Sequence, residues 1–378
     1  MFTANILAQT GSEEKKQKSI FEIRNEGGNK YLKMLMELKD FEADDRRQQA
    51  MKSAAIIPIA SFMAPNAYYD SLMAVSRYRF RADSIGQMIR KHGQAGIESL
   101  EQMLRQEIPG RSLVMFNETH TLPEHRMLVE RLLPLFAENG FTYLALEALS
   151  EGQDHLLNGG NPPTINTGFY TQDPHFANLI RSAQDLGFQF VAYENRDRSR
   201  DREEGQASNL YEATFGKDSE AKVLVLAGVD HILEKPTPRG KRWLGAILNE
   251  EYELNPLTLN QHHLRYFSKN TDGVAWVKAS TFDNHLLESV DYHVINNLPL
   301  TSGEPNFTFD NTYDQPVQLS FYLNSEVRIE EDYDRLIPVQ SALAEKGQSL
   351  KLSIPDRELE LIIYDQHGQE LQRQTIKN

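Results

Sequence analysis

The apolar run Leu113-Val-Met-Phe116 breaks abruptly into Asn117-Glu-Thr-His-Thr-Leu-Pro-Glu-His-Arg126. Apolar residues then return at helical intervals (Met127, Leu128, Leu132, Leu135, Phe136) as far as Gly140. That rhythm predicts a buried strand, a polar turn holding Glu118, His120 and His125, and an amphipathic helix. Thr121 and Glu124 stand in capping-box spacing, and Pro123 falls in the first turn, where a missing N–H costs little. The alternation continues downstream. Strands are expected over 141–146, 188–193, 222–227 and 257–259, and a helix carrying Phe176, Leu179, Ile180 and Ala183 precedes Gly187. Strands alternating with helices imply βαβ units and a mainly parallel sheet.

On either side of this region the pattern differs. Residues 29–106 read as helices, with an apolar stripe at Leu72, Val75, Tyr78, Ile85, Met88 and Ile89. Tyr68, Tyr69, Arg77, Arg79 and Arg81 are read there as packing and solvated charge. Beyond Leu300 the period shifts to two, at Phe307-Thr-Phe, Val317-Gln-Leu-Ser-Phe-Tyr-Leu, Ser349-Leu-Lys-Leu-Ser-Ile and Leu359-Glu-Leu-Ile-Ile-Tyr. Asp365-Gln-His-Gly-Gln reads as a hairpin turn into 370–376, with His367 exposed in it. The expected fold is α/β, a mainly parallel sheet flanked by helices over 29–300, with an N-terminal helical region. A flexible segment over 1–28 precedes it, and a small C-terminal β-sandwich-like domain over 301–378 follows.

Length permits one large core plus a smaller domain, and 40% hydrophobic with 25% charged residues is an ordinary globular balance. The net charge of −14 argues against a nucleic-acid partner, because phosphate contacts need clustered Lys and Arg. There is no cysteine, which removes disulfides, thiolate metal sites and Cys nucleophiles but does not fix the compartment. The first ten residues lack a basic region and their apolar run is too short for a complete signal peptide. They resemble the tail of one at Leu7-Ala8-Gln9, so a periplasmic or secreted location is expected, with a cytoplasmic one as the alternative. The apolar run from Ala54 to Pro65 is too short for a span and contains Pro58, so it is expected to be a buried segment, and no transmembrane span is expected.

Candidate chemistry sits at the strand ends. Glu118 and His120 follow the first strand, Glu147 the second, Glu194-Asn-Arg196 the third, Asp230-His231 the fourth and Asn260-Gln-His-His263 the fifth. In a parallel sheet these ends share the edge where ligands bind. Carboxylates gathered there cannot all stay ionised without a cation. Glu118, His120, Glu147 and His231 offer oxygen and imidazole ligands suited to Zn²⁺, Mn²⁺ or Fe²⁺, although no His-Glu-x-x-His occurs. The metal-free alternative uses His120 as general base, with Arg126, Arg181 or Arg196 holding an anionic group. His125, near a helix N-terminus, is expected neutral. The charge-alternating run from Arg196 to Glu204 reads as a solvated helix start or as a basic lid over the same edge. With no Gly-x-Ser-x-Gly, Walker or dinucleotide fingerprint, activated water is the expected attacker in a hydrolase.

Three blocks resemble the erythromycin esterase/ChaN-like/TIKI superfamily: Phe116-Asn-Glu-Thr-His-Thr-Leu-Pro-Glu-His-Arg, Gly140-Phe-Thr-Tyr-Leu-Ala-Leu-Glu-Ala-Leu and Val223-Leu-Val-Leu-Ala-Gly-Val-Asp-His-Ile. Thr167-Gly-Phe-Tyr-Thr-Gln-Asp-Pro and Ala192-Tyr-Glu are similar to bacterial members of unassigned activity. The likeness covers roughly residues 113–262, and this chain departs from it with Asn117 where the turn usually has Gly. The resemblance implies that Glu118, His120, Glu147 and His231 occupy the active-site positions. His125, Arg126, Tyr170, Arg181, Glu194 and Arg196 are the candidates for substrate contact. The superfamily includes macrolide-ring esterases, proposed metalloproteases and haem-associated lipoproteins. The resemblance therefore implies an esterase- or amidase-type hydrolase acting on a small molecule, or a haem- or metal-binding uptake protein without turnover.

Overall fold

The computed structural model describes residues 17–63, 82–301 and 303–377. The stripe positions Leu72, Val75 and Tyr78, the residues Tyr68, Tyr69, Arg77, Arg79 and Arg81, and the signal-like first ten residues lie outside the described residues.

β2 (Leu113–Glu118) is buried along its whole length, and its alternation shows why. Val114 and Phe116 pack with Leu128, Leu132, Phe136 and Leu179 on one face, whereas Leu113 and Met115 pack with Ala207, Leu210, Leu244 and Ile247 on the other. A strand covered on both faces reads as a continuous apolar run, which is the pattern of a parallel sheet between helical layers. The sheet contains β1 (Gln94–Ala95), β2, β3 (Tyr143–Leu146), β4 (Gln189–Val191), β5 (Val223–Gly228), β6 (Leu257–Asn260), β7 (Gly273–Lys278) and β8 (Tyr292–Asn297). Their order is β1-β7-β8-β6-β2-β5-β3-β4, an eight-stranded sheet. Strands β2 to β6 and β8 pair in parallel, and β7 and β1 close one edge antiparallel.

The helices are α1 (Ile20–Gly27), α2 (Tyr31–Asp40), α3 (Arg46–Met63), α4 (Ala82–His92), α5 (Ile97–Glu107), α6 (Glu124–Glu138), α7 (Gln153–Asn158), α8 (Pro174–Asp185), α9 (Arg202–Ala213), α10 (Leu244–Tyr252) and α11 (Asn324–Val327). Helices α5, α6 and α8 cover one face of the sheet, and α9 and α10 the other. The expected capping box before α6 does not form: the helix starts at Glu124 after Pro123, with no side-chain cap bond. Helix α8 does have a side-chain cap, Asp173 accepting from the His175 N–H, with Pro174 at its first position.

The apolar run that begins at Ala54 lies in α3, which carries Pro58 internally and buries Ala55, Ile56, Ile59, Ala60 and Phe62. Among the described residues no helix is long and apolar enough to cross a membrane. Helices α1 to α3 share a core of Ile23, Tyr31, Leu35, Ile56, Ile59 and Phe62, and they are anchored at a distance in sequence. The Asn29 amide donates to the Tyr322 hydroxyl and to the carbonyls of Tyr333 and Leu336. The Gln318 side chain in turn donates to the Asn29 carbonyl and accepts from the Leu32 N–H.

The C-terminal strands are β9 (Phe307–Asp310), β10 (Val317–Leu323), β11 (Gln340–Ala344), β12 (Ser349–Leu352), β13 (Leu359–Tyr364) and β14 (Glu370–Ile376). They form a four-stranded sheet, β11-β10-β13-β14, and a two-stranded one, β12-β9, both antiparallel. Phe307, Phe309, Leu350 and Leu352 of the smaller sheet pack on Val317, Leu319, Phe321, Leu361 and Ile363 of the larger.

Candidate functional site

Strand register positions the site. Glu118 at the end of β2 lies opposite Gly228 at the end of β5, and Leu146 of β3 lies opposite Leu226 of β5. Glu118, Gly228 and Glu147 therefore stand side by side at the carboxyl edge. β5 is inserted there between β2 and β3, the kind of topological switch at which open α/β sheets form clefts. A cleft of about 670 Å³ opens at this edge, with Glu118, His120, Glu147, Glu194, Arg202 and His231 in its wall.

Two histidines face the cleft, each backed by a buried glutamate. His120 Nδ1 lies 2.8 Å from Glu118 Oε1. Burial pushes the Glu118 carboxyl up, but the Arg126 guanidinium and the His120 hydrogen bond outweigh it and hold the pKa at about 2. Glu118 thus stays a carboxylate, Nδ1 must carry the proton, and Nε2 is left as the basic nitrogen. The ring stacks on Tyr170 at 3.8 Å with an interplanar angle of 12°. His231 Nδ1 lies 2.7 Å from Glu203 Oε2, which also accepts from the Leu244 N–H. Burial acts to lower the His231 pKa, and the hydrogen bond to Glu203 with the charge of Glu147 raises it above the ordinary value. Its Nε2 stands 3.0 Å from Arg202 Nη1 and 3.4 Å from Glu147 Oε1. When neutral it accepts from Arg202, and when protonated it faces Glu147.

Glu147 lies between the two histidines. It accepts from the Gly228 N–H at 2.5 Å and from Arg202 Nη2 at 2.6 Å. A Cβ at Gly228 would come 2.9 Å from His120 Nε2 and 3.2 Å from Glu147 Oε2, so only a residue without a side chain leaves that space open. Arg202 also pairs with Glu194 at 2.5 Å. Val229, next in the chain, is one of two described non-glycine residues with positive φ, at 29°. Its N–H donates to the Glu118 carbonyl, and its own carbonyl accepts from the Asn117 amide. Asn117 further accepts from the Gln261 N–H and so ties β2, β5 and β6 together beneath the site.

Several expected contacts are corrected. His125 is buried below the cleft and accepts the Thr119 N–H through Nδ1. Burial holds its pKa down at about 3, so it is neutral as expected, but it positions the turn instead of meeting substrate. Arg126 is also buried, with Nε 2.5 Å from Glu118 Oε2 and further bonds to Asp173 and the His120 carbonyl. It holds the Glu118 carboxylate and has no reach to a substrate anion in the cleft. Arg181 is away from the site, paired with Glu326 at 2.6 Å and bonded to the Ile337 carbonyl. Arg196 lines the cleft as an exposed side chain.

The metal-ligand reading of Glu118, His120, Glu147 and His231 does not fit this arrangement. Each carboxylate is committed to a guanidinium and a second donor, and His231 stands with Arg202 against its Nε2. Among the described residues no group of three or more His, Asp or Glu could hold a metal ion. The cation that clustered carboxylates demand is present as Arg126 and Arg202. The cleft's many ionisable walls likewise do not fit a porphyrin, which needs apolar ones.

Sequence reasoning missed Arg202 and Glu203 as site residues. The run from Arg196 to Glu204 contains an Asp201-capped helix start, with Asp201 accepting from the N–H groups of Glu203 and Glu204. The first turn of α9 then turns Arg202 and Glu203 into the cleft. The signal was Asp201 with Glu204 three residues on, a capping spacing inside a charge run.

No family model and no curated protein matches the chain. Among solved structures it is similar to a Bacillus cereus protein at 10% identity and a TM-score of 0.39, covering 57% of this chain and 97% of that one. It is also similar to the C-terminal region of Pasteurella multocida toxin, described as carrying a thiol-protease-like catalytic triad. That match is 15% identical with a TM-score of 0.30, over 61% of this chain and 34% of the other. A third is an effector domain of a Vibrio vulnificus MARTX toxin, at 13% identity and a TM-score of 0.27, over 57% of this chain and 51% of that one. The chain thus spans about half or less of those two toxin chains. At these TM-scores none of the three bears on what this chain does.

Proposed function

We propose that the protein is a member of the erythromycin esterase/ChaN-like/TIKI superfamily and hydrolyses an ester or amide with activated water at this cleft. The observation that carries the reading is the pair of histidines, each backed at Nδ1 by a buried glutamate and presented to one cavity on either side of Glu147. The raised pKa of His231 suits it to the acid role, and the bond from His120 Nδ1 to Glu118 leaves His120 Nε2 free for the base role. His120 Nε2 takes a proton from water as its oxygen attacks the carbonyl carbon. The bond to the leaving oxygen or nitrogen then breaks as protonated His231 gives its Nε2 proton to that atom. Solvent exchange returns the proton from His120 to His231, so the net change is water divided between acid and alcohol or amine. Tyr170 and Glu118 fix the His120 ring, and Arg202 supplies positive charge beside the developing oxyanion.

The test is turnover of a panel of p-nitrophenyl esters, lactones and anilides. His120→Ala is expected to lower kcat/KM by roughly 10²–10⁴-fold with an unchanged melting temperature. Full activity in His120→Ala would sink the reading. Because guanidinium groups satisfy the carboxylates, EDTA is expected to leave both activity and melting temperature unchanged. Activity that vanishes with chelator and returns with Mn²⁺ or Zn²⁺ would refute the metal-free mechanism.

A further inference from the structure

A second cavity, of about 350 Å³, lies on the other side of His120 and has a different character. Helices α1 and α3 contribute Ile20, Phe21, Met51, Ala55, Pro58 and Ile59 to its wall. His120, Phe169, Tyr170 and Val229 line both this cavity and the charged cleft, so the two meet at the proposed base. Phe21 and Phe169 are 58% and 38% exposed at its rim. The charges Arg126 and Asp173 in its wall pair with each other.

Arg24, also in the wall, is only 7% exposed. Its Nη1 donates to the Ala55 carbonyl at 3.3 Å, and its guanidinium lies over the Phe169 ring at 4.8 Å. Its Nε is buried without a hydrogen-bond partner, as is Oε1 of Gln172 in the same wall. An apolar cavity that meets the charged cleft at the proposed base suits the apolar part of a ligand whose reacting carbonyl lies where the two join.

We propose that this cavity holds the aliphatic chain of the substrate's acyl group, so that the enzyme acts on medium-chain acyl esters or amides. The proposal rests on the hydrolytic reading of the cleft and adds its substrate class. The scissile carbonyl lies at His120 Nε2, the leaving group points into the charged cleft, and the acyl chain runs past Tyr170 and Phe169 between α1 and α3.

Binding and turnover test it separately. 11-(Dansylamino)undecanoic acid should bind the full chain saturably, with a blue-shifted emission that decanoate reverses and acetate does not. Ala55→Phe should weaken that binding at least tenfold. Ala54→Phe, at an exposed position of the same helix, supplies a variant that folds if Ala55→Phe does not, and it should weaken binding as well. Across p-nitrophenyl esters from acetate to decanoate, kcat/KM should rise roughly fourfold per methylene, as about 0.8 kcal/mol per buried CH₂ requires. Saturable binding with no turnover of any ester would sink the hydrolase reading and leave the chain site standing. Turnover with a flat chain-length profile and no probe binding would overturn the chain site alone. Concentration-dependent dimerisation that Ala54→Phe and Ala55→Phe abolish, with no probe binding, would assign the cavity to a second copy and also overturn it.

Discussion

A methyl group at Gly228 would stand 2.8 Å from His120 Cε1, a ring otherwise held by stacking on Tyr170 and by its bond to Glu118. Gly228→Ala should therefore displace the base by a fraction of an ångström. A displacement near 1 Å costs about 10²-fold in rate, so a fraction of it should lower kcat by up to about tenfold while the melting temperature changes little. Glu203 offers a prediction of a different kind. It raises the pKa of His231, which keeps the proposed acid protonated to higher pH than an ordinary histidine. Glu203→Gln should move the alkaline limb of the kcat/KM profile to lower pH; an unmoved limb would exclude His231 as the acid. Glu234 behaves oppositely to most carboxylates. Burial and the neighbouring Asp291 raise its pKa to about 7, well above the ordinary carboxylate range. The folded state therefore keeps a proton that the unfolded state has released, and stability present below pH ~4.5 is lost as pH rises toward 7. Glu234→Gln should raise the melting temperature at pH 8 more than at pH 5, readable by calorimetry.

Arg181 and Glu326 join α8 to α11, and the pair is almost fully buried. Removing one partner of such a pair strands a charge, at about 3–5 kcal/mol. Arg181→Ala should lower stability by that order in a denaturant titration while the folded fraction keeps its activity, since Arg181 is remote from the cleft. The elements themselves differ in how far the sequence revealed them. The strands ending at Glu118, Glu147 and Gly228 were legible because each is an apolar run stopped by an ionisable or small residue before a helical rhythm. The antiparallel β7 and β8 were not, because only two three-residue 3₁₀ turns and no α-helix separate them, and the strand–helix alternation gives no cue. At the site, the edge residues were visible and their partners were not. Arg126 was read as an anion clamp, yet it is on the first turn of α6, where it folds back eight residues onto Glu118. Arg202 and Glu203 were hidden in a charge run, because only the Asp201 cap fixes which way α9 starts. Periodicity says which face a residue takes, but a salt-bridge partner is settled in three dimensions.

Among the described residues, His125 and His293 are buried and His262 is half-buried, and desolvation holds the pKa of each near 3. Unfolded, each titrates near about 6.5. Their folded pKa values are depressed, so each favours the native state fully above pH ~6.5 and loses that contribution as pH falls toward 3. Together they should make the melting temperature drop between pH 7 and 4, each adding up to about 1.4 kcal/mol per pH unit. His293→Leu should flatten that slope, and a slope unchanged by it would mean that other groups dominate. The Asn29 anchor has a consequence for how the chain is made. Its partners Tyr322, Tyr333 and Leu336 lie 293 to 307 residues later. At about 5–20 residues per second, a ribosome needs on the order of 15–60 s to reach them. For that interval α1 to α3 lack the sheet they dock on, and the apolar walls of the cavity beside His120 face water. The earlier segments must wait for partners made much later, and a holding chaperone would find its client in the nascent chain there.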